Sequence, residues 1–200
     1  MSCAQETPRG TGLYMLVDTS GTYTEEIDKA RQIINVVLTR MDSADAFAVA
    51  RVDTGSFSER DIIAKAVFDD RPSVANQQKR GFRATVDTFV EEVKPSPYTD
   101  ITGGVLQASE YLTEKQTGEK IILIFSDLKE DLQEGYVRDL PLALDGVKVI
   151  ALNVTKLRSD NINPREYMER LEAWRARVEN GGGTWRVLND LERIEDIWRP

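Results

Sequence analysis

An open α/β sheet is the architecture this sequence predicts: doubly wound, mostly parallel, with one antiparallel edge strand and helices on both faces. Three observations predict it. Short β-rich apolar runs alternate with stretches whose apolar residues recur every three or four positions, as in strands joined by helices. The run Ile121-Ile122-Leu123-Ile124-Phe125 is apolar at every position, like a central parallel strand covered on both faces. A turn signal, Asp53-Thr54-Gly55-Ser56, separates two β-rich runs by a gap that suits an antiparallel hairpin better than a crossover.

The elements follow in order. Leu13 to Val17 reads as a buried strand. Glu25 to Met41 reads as a helix, with Ile27, Ala30, Ile33, Ile34, Val37, Leu38 and Met41 on one face. Ala46 to Val52 and Ile62 to Phe68 are the two strands of the hairpin. Val74 to Val93 is helical around Phe82, Val86 and Phe89, with Gly81 a local weakness. Pro95 and Pro97 make the segment up to Asp100 a connection. Gly103 or Gly104 opens a helix to about Glu114.

After the Ile121 strand, Leu132 to Leu144 is expected as a shorter, imperfect helix, and Val147 to Val154 as another central strand. Asn163-Pro164-Arg165-Glu166 is a helix start, with Asn as N-cap, Pro at the first position and Glu at the third. Tyr167, Met168, Leu171, Trp174 and Val178 form that helix's apolar side, and Gly181-Gly182-Gly183 ends it. Thr184 to Leu188 is a last strand, and Asp190 caps a terminal helix. No repeat or composition break divides the chain. Residues 1–11 read as an N-terminal tail or linker and 12–200 as a single domain.

Composition removes whole classes of function. The net charge is −8, and no basic stripe with interleaved aromatics is present, so nucleic acid is not an expected partner. No run approaches the roughly 18 apolar residues of a membrane span. There is no histidine, which excludes histidine acid–base work and histidine metal ligation. The one cysteine, Cys3, allows neither an intrachain disulfide nor a cysteine zinc cluster. Any metal must therefore be held by oxygen, which means a hard cation. Cys3 leaves two localisations open. The chain is cytoplasmic as it stands, or a periplasmic lipoprotein acylated at Cys3 if a signal peptide preceded that residue and was removed.

In open α/β sheets ligands sit beyond the carboxyl ends of the strands, where strand order reverses. Three polar segments fall on that rim: Asp18-Thr19-Ser20-Gly21-Thr22, Thr99-Asp100-Ile101-Thr102 and Ser126-Asp127. Each residue also has an ordinary structural role open to it. Asp18 can close a turn, and Thr22 or Thr24 can cap the first helix, Thr22-x-x-Glu25 matching a capping box. Thr99 and Thr102 can serve the loop, and Asp127 can cap the short helix behind it. Two aspartates and three hydroxyls on one rim exceed what capping needs. Carboxylates there repel phosphate and attract a cation.

The sequence from Leu13 on resembles the von Willebrand factor A domain family, which has a Rossmann-like fold. That family's metal-ion-dependent adhesion site uses an Asp-x-Ser-x-Ser motif after the first strand, a loop threonine, and an aspartate after the fourth strand. The matching positions are Asp18, Ser20 and Thr22, then Thr99, then Asp127. The resemblance implies Mg²⁺, or Mn²⁺ or Ca²⁺, met directly or nearly so by Ser20, Thr22 and Thr99. Asp18 and Asp127 would act largely through water, and a partner protein's Glu or Asp would complete the site. It implies a non-enzymatic, adhesion-type binding module; bacterial relatives often work beside ATPases, in surface assemblies or in stress and defence systems.

Three positions depart from the family pattern. Thr22 replaces a serine, Tyr98 stands where a glycine often precedes the loop threonine, and Leu128 stands where a glycine often follows the last aspartate. They keep open a degenerate module that binds a partner without metal. A haloacid-dehalogenase-like phosphotransfer enzyme is a distant third reading. It needs a second aspartate two residues after the first, where this chain has Ser20.

Overall fold

The computed structural model describes residues 10–53, 58–154 and 163–199. Most of the expected tail, Cys3 included, and most of the expected 53–56 turn lie outside the described residues.

Six strands form one sheet: β1 (Thr11–Asp18), β2 (Ala46–Val52), β3 (Ile62–Val67), β4 (Glu119–Phe125), β5 (Val147–Leu152) and β6 (Thr184–Leu188). Their order is β3-β2-β1-β4-β5-β6. Every neighbouring pair is parallel except β2 and β3, so the antiparallel strand lies at the edge, as expected. The chain winds outward from β1 through β2 to β3, then returns to place β4 on the other side of β1. The strand order therefore reverses between β1 and β4, and the carboxyl ends of those two strands frame the ligand-binding crevice of such a sheet.

The strands at the centre are apolar on both faces because both faces are covered. Leu13, Met15, Val17, Leu123 and Phe125 pack under helices α1 (Ile27–Arg40) and α2 (Pro72–Glu92). The final 3-10 helix, Leu191–Trp198, completes that layer with Ile194 and Ile197. On the other face Tyr14, Leu16, Ile122 and Ile124 pack under α3 (Ile101–Lys115) and α4 (Pro164–Asn180). Gly104 permits close approach: a Cβ there would lie 2.7 Å from Val52 Cγ1 and 2.9 Å from Leu16 Cδ2. No helix among the described residues is long and apolar enough to cross a membrane.

Several local expectations change. No helix forms over Leu132–Leu144; the chain crosses from β4 to β5 as an irregular strap. Gly135 adopts φ +91°, Pro141 has no amide hydrogen to give, and burial alternates along the strap's end, with Leu142 and Leu144 in and Ala143 out. That is a period of two, not 3.6. Helix α1 begins at Ile27, behind a 3-10 turn over Gly21–Glu26, so its N-cap position is Glu26 and not Thr22 or Thr24. Helix α3 begins at Ile101, two residues before the first expected glycine, because Asp100 caps it by accepting a bond from the Gly103 amide at 2.8 Å. Asn163 holds the N-cap position of α4 without a capping bond; its side-chain amide donates to Glu166 instead, at 3.1 Å. The terminal helix is 3-10, with Asp190 as its cap.

Candidate metal centre

β1 ends at Asp18, a fully buried carboxylate at the switch point. Its Oδ1 accepts a bond from the Ser20 amide at 2.8 Å, which turns the chain out of the strand. Its Oδ2 accepts a bond from the Ser126 hydroxyl at 2.6 Å, from the end of the neighbouring strand β4. The same Ser126 oxygen accepts the Leu128 amide at 3.0 Å. Asp127, buried beside it, closes its own turn by accepting the Lys129 amide at 2.8 Å.

Thr99 reaches the rim by a different route. The loop before α3 is stitched to both strand ends. The Ser96 amide donates to the Thr19 carbonyl at 2.8 Å, and Thr99 exchanges two backbone bonds with Asp131, at 2.8 and 3.0 Å. Thr99 is buried between them. Ser20 is half-buried, bridged to Ser96. Thr22 lies in the 3-10 turn that comes next, its side chain outside the described set. Asp18, Ser20, Thr99 and Asp127 thus stand on one rim. Asp18 and Asp127 are close enough for the charge of the first to disfavour ionisation of the second.

Burial is the main cause of raised pKa values at both carboxyls. At Asp18 the bonds from Ser126 and Ser20 oppose it; at Asp127 the Lys129 amide opposes it and the Asp18 charge adds to it. Among the described residues no salt bridge reaches either group. Nor do three His, Cys, Asp or Glu side chains gather into a metal cage there. The available donors are two carboxylates and neighbouring hydroxyls, an all-oxygen set suited to a hard cation.

No protein-family model matches this sequence, and no curated protein does. Solved structures do. The von Willebrand factor type A protein from Catenulispora acidiphila aligns with a TM-score of 0.54 at 12% identity, over 95% of this chain and 41% of that one. The fold is that of a von Willebrand factor type A domain. The pilus adhesin SpaC of Lactobacillus rhamnosus GG gives a TM-score of 0.59 at 12% identity, over 96% of this chain and 29% of that one. An aerotolerance-related membrane protein from Bacteroides fragilis gives 0.53 at 12% identity, over 94% and 96%. This chain thus spans less than a third of the adhesin and nearly all of the Bacteroides protein. At such identities the likeness is one of fold.

Within this von Willebrand factor A fold, Leu128 takes a glycine-like backbone conformation and Tyr98 does not. Leu128 adopts φ +65°, the left-handed region where a side chain is strained, whereas Tyr98 is not among the positive-φ residues. Two bonds from α4 hold the Leu128 turn. Arg170 Nε donates to the Asp127 carbonyl at 2.8 Å, and Trp174 Nε1 to the Leu128 carbonyl at 3.0 Å. One helix turn on, Arg177 donates to Glu130 at 3.0 Å and to Thr102 Oγ1 at 2.6 Å. Glu130 in turn accepts the Thr102 amide at 2.7 Å. Arg138 of the strap forks onto the buried Asp100 carboxylate, its nearest contact 2.8 Å. Sequence reading placed Ser126 on the rim without giving it a role, and missed Glu130, Arg138 and these α4 cations as supports. Arg170, Trp174 and Arg177 share one helix face by spacing, and that signal was available. Nothing in sequence pairs Arg138 with Asp100.

Proposed function

We propose that this protein is a non-enzymatic, metal-dependent protein-binding module. Its rim would hold a divalent cation, Mg²⁺ or alternatively Mn²⁺ or Ca²⁺. The observation that carries the reading is the pair of buried carboxylates, Asp18 and Asp127, at the ends of the two strands that frame the switch point, with no salt bridge to either among the described residues. Two like charges in a low-dielectric crevice disfavour each other, and a bound cation reverses that sign. Ser20 and Thr99, with Thr22, would offer hydroxyl oxygens, and Asp18 and Asp127 the charge. When bound, the cation supplies an electrophilic position for a carboxylate of the partner protein. The protein's own part is to keep the oxygens fixed, which the Ser126, Arg170 and Trp174 bonds do for the two aspartate turns. SpaC, a pilus adhesin by name, offers a precedent for this fold in adhesion. The phosphotransfer reading needs a second aspartate two residues after Asp18, and that position is Ser20.

Isothermal titration with Mg²⁺ and Mn²⁺ tests the reading. Wild type should bind either ion, while Asp18→Ala and Thr99→Ala should lose most of the heat, with thermal melts checking that both fold. Equal titration by wild type and both variants would sink it.

One observation favours the alternative of a metal-free scaffold. Both oxygens of Asp18 and one of Asp127 already accept bonds from Ser20, Ser126 and Lys129, so both turns are complete without a cation. Partner binding that survives chelator would favour that alternative.

A further inference from the structure

A parallel β-strand pair is usually connected through a helix packed on the sheet. The β4-to-β5 connection, residues 126–146, has none, and among the described residues the strap lies in that layer beside α3 and α4. Grooves flank it on both sides. One, about 720 Å³, lies between Tyr136, Val137 and Leu140 of the strap and Arg177 and Asn180 of α4. The other, about 480 Å³, lies between Leu140 and Pro141 and the Leu106, Ser109 and Thr113 positions of α3.

The strap exposes what a core helix would cover. Val137 is 75% exposed, Leu140 53% and Tyr136 45%, so three of the six large exposed hydrophobics among the described residues fall within five positions. Such clustering marks a contact surface more than scattered exposure does. The borders are acidic. Glu110 on α3 and Asp131, Glu134 and Asp139 on the strap are exposed, and none joins a salt bridge among the described residues. Two cations also line the grooves, each already paired: Arg138 with Asp100, its guanidinium over the Tyr136 ring, and Arg177 with Glu130; Lys129 stands at the rim end.

We propose that this face is the docking surface for an amphipathic helix of a partner protein, its apolar stripe on Val137 and Leu140 and its lysines or arginines along the acidic borders. A helix fits because the two elements bordering the gap are helices in the same layer, and apolar anchors at helical spacing are how grooves of this kind are filled. Charge complementarity selects a basic helix over an acidic one. The surface meets the rim at Asp131, which pairs with Thr99, but its apolar anchors lie farther along the strap and need no metal ion.

The probe is a synthetic, fluorescently labelled helix of leucine and lysine at amphipathic spacing, followed by anisotropy with chelator present. Wild type should bind it. The double variant V137D/L140D should bind about tenfold more weakly, and the pair E134K/D139K should also lose affinity. Val67→Asp, on a distant exposed edge, should not. Melting curves establish that each variant is folded; all the altered side chains are exposed. The proposal is overturned if wild type does not bind. It is equally overturned if V137D/L140D binds as wild type does, since attraction to a chain of charge −8 would then be non-specific. Equal binding of a leucine–glutamate helix would also overturn it, as would a sedimenting wild-type dimer that V137D/L140D dissolves, because the occupant would then be a second copy.

Discussion

The Ser126 hydroxyl donates to Asp18 Oδ2 at 2.6 Å across the ends of β4 and β1, and accepts the Leu128 amide at 3.0 Å. One oxygen thus couples the two strands that frame the switch point to the left-handed turn beyond. Removing it leaves a buried carboxylate with one partner fewer and a buried amide with none from this source. Ser126→Ala should therefore cost about 1–3 kcal/mol in urea unfolding. A midpoint equal to wild type would mean that this contact does not hold the rim.

Leu128 sets packing against backbone strain. Its side chain is in the core, 1% exposed, while its φ of +65° is a conformation glycine adopts without cost. Both Leu128→Ala and Leu128→Gly should destabilise, by about 2–5 kcal/mol for the lost packing. Their order should invert the usual one. Glycine should be about 1 kcal/mol less harmful than alanine, because only glycine relieves the strain. Chemical unfolding of the two variants decides it, and alanine proving the milder change would remove the strain argument.

Two glycines should respond oppositely to the same substitution. At Gly104 an added methyl meets Val52 and Leu16, so Gly104→Ala should cost about 1–3 kcal/mol as α3 is pushed off the sheet. At Gly81, inside α2, a Cβ meets nothing within 4 Å. Gly81→Ala should stabilise by about 0.5–1 kcal/mol. Thermal melts of the pair measure both signs.

Alkaline pH should unfold the protein through its tyrosines. Burial is the chief cause that pushes the Tyr111 phenol up to about 12, and it raises Tyr14 further. The two rings meet edge to face at 5.4 Å, and Tyr14 donates to Gln107 at 3.1 Å. A folded-state value above the unfolded one, near 10, means this stability is complete below pH 10 and is lost as pH rises toward 12. Ultraviolet difference titration should show these phenolates forming later in folded than in urea-unfolded protein. Tyr14→Phe should delay alkaline unfolding.

The sheet was legible because its strands obey composition: Ile121–Phe125 is apolar throughout and has to be covered on both faces. The rim was legible because Asp18 and Asp127 follow such strands directly, and the strand order puts their ends together. What sequence periodicity misread was the strap. The run Leu132 to Leu144 read as an imperfect helix, but Gly135 and Pro141 break it, and the burial of Leu142 and Leu144 follows an extended chain. The start of α3 was misplaced because Asp100 caps it through a tertiary arrangement, the fork from Arg138, that no local pattern encodes. Likewise the glycine-like backbone at Leu128 depends on bonds from Arg170 and Trp174, far along the chain.

Crystals soaked in Mn²⁺, with anomalous scattering recorded, put the question to the rim itself. A single strong peak among Ser20, Thr99 and the carboxylates of Asp18 and Asp127 is the expected result. Mn²⁺ bound elsewhere in the crystal while the rim stays empty would refute a metal centre built on Asp18 and Asp127.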